Sequence, residues 1–181
     1  MPAAAPRPAP APASWEPNLS WITDMLAVGG SFPCERAQQL AQALGISGIV
    51  DLRAEDSDDA GRLAEAGIDF LHLPAPDHYP PSLAMLEAGV AFAAAHLARG
   101  NRVLLHCEHG IGRSALLALC VLVHGGLEPL AALELAKARR SRVSPSPAQY
   151  EAWAEWLAHR GRAVPSFERF AAISYAHLVR A

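Results

Sequence analysis

The 181-residue sequence predicts an α/β fold: a central, mostly parallel sheet of about five short strands flanked by helices, with a helical C-terminal half. Three observations predict it. Short apolar runs alternate with helix-like patterns through the first half of the chain. One run, Val103 to Leu105, is wholly apolar, as a strand buried on both faces of a parallel sheet is. Beyond Ser114 the patterns are helical only. Apolar residues make up 51% of the chain and charged residues 18%, which suits a sizeable core and excludes global disorder.

The elements follow in order. Residues 1–14 hold five Pro and six Ala and predict an extended, poorly ordered tail. Trp15 opens the folded part, a single domain over 15–160. Leu19 to Ile22 and Met25 to Val28 read as strands around a turn, and Gly29-Gly30 ends the pair. Pro33 to Leu44 reads as a helix with Pro in its first turn and Gly45 past its end. Ile46 to Leu52 is a strand. Ser57, Asp58 and Asp59 read as the start of a helix ending at Gly67, because a hydroxyl and carboxylates satisfy free N–H groups and the dipole. Ile68 to Leu73 is the next strand, and Pro74 to Pro81 a loop.

Ser82 caps a helix reaching Arg99, with Leu83, Leu86, Val90, Ala94 and Leu97 on one face. After the strand at Val103 to Leu105 comes a loop, His106 to Gly112, and then an apolar helix over Ser114 to Val123. Pro129 to Ser141 is a further helix. Ser146 and Gln149 form a capping box with Pro147 at the first helical position, opening a helix that carries Tyr150, Trp153 and Leu157. Residues 161–181 read as a linker and an additional helix, Phe167 to Val179. Its Phe167, Phe170, Ile173 and Leu178 are expected to complete the core.

Charge and composition exclude some functions. A formal net charge of -3 argues against nucleic-acid binding by bulk positive charge and against a polybasic membrane anchor. The longest apolar run, Ala115 to Val123, has nine residues, well short of the roughly 20 a membrane helix needs. No basic segment followed by an apolar one marks a secretory signal. Three scattered cysteines, Cys34, Cys107 and Cys120, do not make a disulfide framework. A soluble, cytoplasmic, monomeric protein is expected.

The chemistry lies in His106-Cys107-Glu108-His109-Gly110-Ile111-Gly112-Arg113-Ser114, between an apolar strand and an apolar helix. A strand-loop-helix turn aims backbone N–H groups at one spot, and the helix N-terminus adds partial positive charge. Gly110 and Gly112 let backbone approach a ligand closely. The same field lowers the pKa of a thiol at Cys107, and a thiolate is a nucleophile. Arg113, six positions on, can bind two oxygens of a phosphate with its planar fork. The segment is built to attack a tetrahedral oxyanion.

This segment resembles the His-Cys-(five residues)-Arg-Ser/Thr signature of the cysteine-dependent protein tyrosine phosphatase superfamily. The length and the preceding loop resemble its small dual-specificity branch. The resemblance runs from about Ser20 to about Leu157 and makes 15–160 a phosphatase domain. It implies a phosphomonoester hydrolase with a phosphocysteine intermediate, acting on phosphotyrosine and also on phosphoserine or phosphothreonine in proteins. It implies catalytic roles for Cys107, Arg113, Asp77 and Ser114, with His106, Glu108, His109, Gly110, Ile111 and Gly112 forming the phosphate loop. Asp77, thirty residues before Cys107, matches the family's general acid. Asp51, Asp56, Asp58 and Asp59 are its competitors; Asp51 ends a strand and the others read as helix-start residues. Ser114 matches the hydroxyl that stabilises the departing thiolate, or is a helix-start hydroxyl. His106 matches the histidine that orders the loop. Gln149 falls near a water-positioning Gln of some members, although its capping box explains it equally well.

No cofactor and no metal are implied. His106, Cys107, Glu108 and His109, with His72 and His78, are metal-ligand types, but no CxxC or HExxH spacing joins them. Cys34 reads as an ordinary helix cysteine, with resolution of an oxidised Cys107 as its alternative, and Cys120 reads as core. The expected partner is a phosphorylated protein, with neither nucleic acid nor membrane. Glu108 beside the phosphate site is expected to repel multiply phosphorylated lipid headgroups. The alternatives are an inactive phosphoprotein-binding module, or a phosphatase for an RNA 5′-phosphate or a lipid phosphate.

Overall fold

The computed structural model describes residues 15–178, so the Pro/Ala-rich tail expected over 1–14 lies outside the described residues. Five strands form one sheet in the order β1-β2-β5-β3-β4. They are β1 (Leu19–Trp21), β2 (Leu26–Gly29), β3 (Ile46–Arg53), β4 (Asp69–Ala75) and β5 (Arg102–His106). β1 and β2 form an antiparallel hairpin, and every other pairing is parallel. The apolar β5 lies between β2 and β3, at the centre of the sheet.

Helices cover both faces. On one side α1 (Ala37–Leu44) and α2 (Ala60–Glu65) pack over Ala27, Ile46, Ile49 and Leu104. On the other lie α3 (Leu83–Ala98), α4 (Arg113–His124), α5 (Pro129–Arg139) and α6 (Pro147–His159), with α7 (Phe167–Ser174) closing the end. α4 is buried from Arg113 through Val123, in keeping with its apolar run. α3 approaches it closely at Gly89, where a Cβ would come within 2.8 Å of Leu117. Ser82 caps α3 by accepting the Met85 N–H, as its sequence indicates.

Element ends differ from expectation for identifiable reasons. The first helix opens as a 3-10 turn over Cys34–Arg36 before α1 begins at Ala37. β4 continues through Pro74 to Ala75; it is an edge strand, where a missing N–H costs no ladder bond. α2 begins only at Ala60, with Asp59 as its cap accepting the Arg62 N–H. α5 stops at Arg139 because Arg140 turns extended and sends its guanidinium to the loop after β5. α7 is shorter than Phe167 to Val179. Its Phe170 is fully buried, with ring centroids 4.9 Å from Tyr150 and 5.9 Å from Trp153, whereas Phe167 and Leu178 stay exposed.

Candidate active site

The site sits at the C-terminal end of the central strand. β5 ends at His106, residues 107–112 loop around, and α4 begins at Arg113. The carbonyls of this loop are tied down on its outer side. Glu108 O accepts from the Ser31 N–H at 3.0 Å, and Ile111 O from the Ser144 N–H at 3.0 Å. His109 O and Gly110 O accept from Arg140 at 2.9 and 2.7 Å. In trans peptides the N–H groups oppose the carbonyls, so they line the inner concave side. Gly110 is required twice over: its φ is +67°, and a Cβ there would sit 2.5 Å from the Gly29 backbone.

Cys107 lies on the floor of this cradle, 3% exposed, with its Sγ 3.3 Å from the Ser114 Oγ. Burial opposes a thiolate here. Hydrogen bonds from the Ser114 hydroxyl and N–H and from the Gly110 N–H, with the Arg113 charge, outweigh it and hold the thiol below its ordinary pKa.

Arg113 is buried, and most of its guanidinium is already committed. Glu55 accepts from Nη1 and Nη2 at 2.7 Å each, and Ala75 O accepts from Nη1 at 2.9 Å. Asp77 Oδ1 lies 3.2 Å from Nη2. The Nε is buried without a partner. A buried, unpaired N–H of a cation beside a ring of inward amides fits an oxyanion. Hydrogen bonding to Arg113 lowers the Glu55 carboxyl from 4.5 to about 2.

Asp77 follows β4 in a loop folded over the cradle. Together with His78, Cys107, His109, Ile111, Gly112, Arg113, Ser144, Ser146 and Gln149 it lines a cleft of about 100 Å³. The structure thus brings Asp77, Arg113, Cys107 and Ser114 to one place. Gln149 is buried in the cleft wall against Gly112, with the Ser146–Gln149 capping box formed as expected. Cys34 lines a separate groove with Asp59 and Arg62. Cys120 is fully buried, and burial pushes its thiol well up.

Beneath the cradle lies a charged network that sequence reasoning missed. His106 Nε2 is 2.6 Å from Asp58 Oδ2, and Arg53 bonds both Asp58 and Asp51 at 2.9 Å. Asp58 is therefore not a helix-start residue: it is buried and partners His106. Arg53 and His106 hold the Asp51 carboxyl down against the upward push of its own burial. Among the described residues, Asp51, Asp58 and His106 are the group of metal-ligand types within mutual reach. The Arg53 guanidinium already supplies the cation there, so these residues do not fit a metal. Glu108 turns its side chain away from the cradle. Its carboxylate accepts from Ser31 Oγ at 3.2 Å and lies 3.5 Å from Arg53, and it does not line the cleft.

The comparisons with known proteins bear on this site. Residues 25–127 match the family described as Tc-R-P, polymorphic toxin system, DSP-PTPase phosphatase. The chain belongs to this DSP-PTPase family. It carries a cysteine-based, dual-specificity-type phosphatase domain, and its mixed α/β fold is that of such proteins. Phosphatidylglycerophosphate phosphatase PTPMT1 of Arabidopsis thaliana is 29% identical over 149 residues, covering 78% of this chain and 44% of that protein. Human dual specificity protein phosphatase 1 is 28% identical over 127 residues, covering 69% of this chain and 33% of that one. This DSP-PTPase thus spans between a third and about half of the length of these curated relatives. A crystal structure of PTPMT1 in complex with PI(5)P superposes with a TM-score of 0.71 at 25% identity, covering 77% of this chain and 96% of that one. Human DUSP28 shares the fold, with a TM-score of 0.70 at 23% identity, covering 81% of this chain and 97% of that one. Among the described residues no helix of the DSP-PTPase is long and apolar enough to cross a membrane.

Proposed function

We propose that this chain hydrolyses phosphomonoesters through a phosphocysteine on Cys107, with phosphotyrosine, phosphoserine and phosphothreonine in proteins as its substrates. One observation carries the reading. A thiol held below its ordinary pKa lies under a ring of inward amides, beside an Arg113 whose Nε is buried and unpaired. That combination suits a tetrahedral dianion and its in-line attack.

The phosphate enters the cradle, where the amides of 108–113 and the Arg113 guanidinium hold its equatorial oxygens. Cys107 Sγ attacks phosphorus, forming the S–P bond as the ester P–O bond breaks. Asp77 gives its proton to the leaving oxygen. Water then attacks phosphorus, Asp77 takes its proton, and the S–P bond breaks. Ser114 Oγ, 3.3 Å away, stabilises the departing thiolate. His106 orders the loop from below through Asp58. Gln149 in the cleft wall orients the water with the Nε2 proton that it does not give to Tyr79 O. Glu55 fixes the plane of Arg113 by its paired hydrogen bonds.

A lipid phosphate is the second reading. It is favoured by relatives named as phosphatidylglycerophosphate phosphatases and by Glu108 lying outside the cleft. Phosphopeptides and phosphatidylglycerophosphate in micelles, assayed side by side for phosphate release, separate the two. A kcat/KM at least tenfold higher on phosphopeptide supports the protein reading, and the reverse order replaces it with the lipid reading.

A further inference from the structure

The loop that carries Asp77 is held to the rest of the cleft by the first turn of α6. Tyr79 N–H closes a β-turn on Pro76 O at 3.1 Å, with Asp77 and His78 as its central residues. His78 takes the left-handed conformation, φ +64°, which a non-glycine residue adopts only at a cost. Within the turn Asp77 Oδ1 accepts the His78 N–H at 3.0 Å and also lies 3.2 Å from Arg113 Nη2, and α6 adds two further bonds. The Ser146 hydroxyl donates to His78 O at 2.7 Å, and Gln149 Nε2 donates to Tyr79 O at 3.3 Å.

The same two side chains cap the helix. Ser146 Oγ accepts from the Gln149 N–H at 3.2 Å, and Gln149 Oε1 accepts from the Ser146 N–H at 2.8 Å. A cap needs only acceptor atoms. Here the oxygens cap, and the side-chain protons are spent on two consecutive carbonyls of the Asp77 loop. The segment leading into this turn is itself anchored. Ser144 N–H bonds Ile111 O at 3.0 Å in the phosphate loop, and Tyr175 OH bonds Pro145 O at 2.7 Å from behind. The turn is therefore a fixed post between the loop bearing Cys107 and the loop bearing Asp77.

We infer that Ser146 is a positioning residue, a latch whose hydroxyl proton holds the Asp77 loop over Cys107 so that the acid meets the leaving oxygen. The inference rests on Asp77 being that acid. Losing the latch leaves the phosphate cradle intact, so KM for the phosphate group holds. It weakens protonation of the leaving group, so formation of the phosphocysteine suffers only where the leaving group is poor.

The test uses Ser146→Gly, because glycine keeps most of an N-cap while removing the hydroxyl, and Ser146→Thr, which restores both donor and acceptor. Steady-state kinetics are measured on phenyl phosphate and on 2,4-dinitrophenyl phosphate, whose leaving group needs no proton. We expect Ser146→Gly to lower kcat/KM on phenyl phosphate, which reports formation of the phosphocysteine, about fivefold, the size of one net hydrogen bond. On the dinitrophenyl ester kcat/KM should hold within about twofold, and Ser146→Thr should restore the phenyl phosphate value. Added to Asp77→Asn, Ser146→Gly should cost nothing more. If Ser146→Gly leaves phenyl phosphate turnover unchanged while Asp77→Asn lowers it, the latch is refuted and the acid assignment stands. If Asp77→Asn itself spares phenyl phosphate, the acid assignment fails and the latch with it.

Discussion

Replacing Ser114 by alanine tests what holds the Cys107 thiol down. The Ser114 hydroxyl lies 3.3 Å from the sulfur and is the foremost of the interactions that favour the thiolate there. A hydrogen bond to a charged group contributes about 1.5 to 3 kcal/mol, and the diffuse sulfur charge at this distance argues for the lower end. About 1.4 kcal/mol is a factor of ten in the thiolate fraction on the rising limb of a pH profile. Nucleophilicity moves the other way: a tenfold more basic thiolate is roughly threefold more reactive. The profiles of wild type and Ser114→Ala should therefore cross. Alkylation by iodoacetamide should be about threefold slower in the variant on the rising limb and about threefold faster on the plateau. The assay is run on a Cys34→Ser background, because Cys34 is partly accessible and Cys120 is fully buried. Superimposed profiles would refute the reasoning and leave the loop amides and Arg113 as the whole cause.

Asp77→Asn should lower kcat/KM on phenyl phosphate at least about a hundredfold while sparing kcat/KM on a good leaving group, the usual scale of general acid catalysis; equal losses of kcat/KM on both would remove Asp77 from that role. Asp58→Ala removes a buried carboxylate from Arg53 and His106 and should cost about 3 kcal/mol in urea unfolding, since Asp51 still pairs Arg53. A loss under about 1 kcal/mol would show the network to be dispensable. The Glu55 carboxyl is lowered from 4.5 to about 2 when folded, so the stability from its Arg113 pair is whole above pH 4.5 and is lost as pH falls toward 2. Because Glu55 is 42% exposed, solvent screening limits that stability to about 1 kcal/mol. The urea-midpoint gap between wild type and Glu55→Gln should narrow between pH 5 and pH 3, and a gap that widens would contradict the pairing. Phe170→Ala, in the core beneath α7, should cost about 4 kcal/mol, read in the same unfolding assay; a cost below about 1 kcal/mol would place α7 outside the core.

What was legible in the sequence is what local spacing carries. The strand-loop-helix around Cys107, the Asp77 loop, the Ser82 cap and the Ser146–Gln149 capping box all announce themselves within a few residues. Arg140 does not. It supports the phosphate loop from 30 residues away, and nothing near it in sequence marks that role. Glu55 sits among several acidic residues and stands out only once the pairing of β3 with β5 brings it to Arg113. Asp58 looked like a helix start because a carboxylate two residues before a helix usually is one. Folding buries it, and a buried carboxylate must find cations, here Arg53 and His106. Glu108 was placed near phosphate by its position in the loop, but the loop aims amides inward and turns this side chain out to Arg53. Each of these outcomes depends on pairings between distant segments, which periodicity cannot report.

The most direct test of the central claim is hydrolysis of p-nitrophenyl phosphate in EDTA by the wild type and by Cys107→Ser in parallel, with acid quench to trap labelled protein. The account predicts turnover and a phosphorylated cysteine in the wild type and neither in the variant. Turnover that survives in Cys107→Ser, or a folded wild type that shows none, would contradict it.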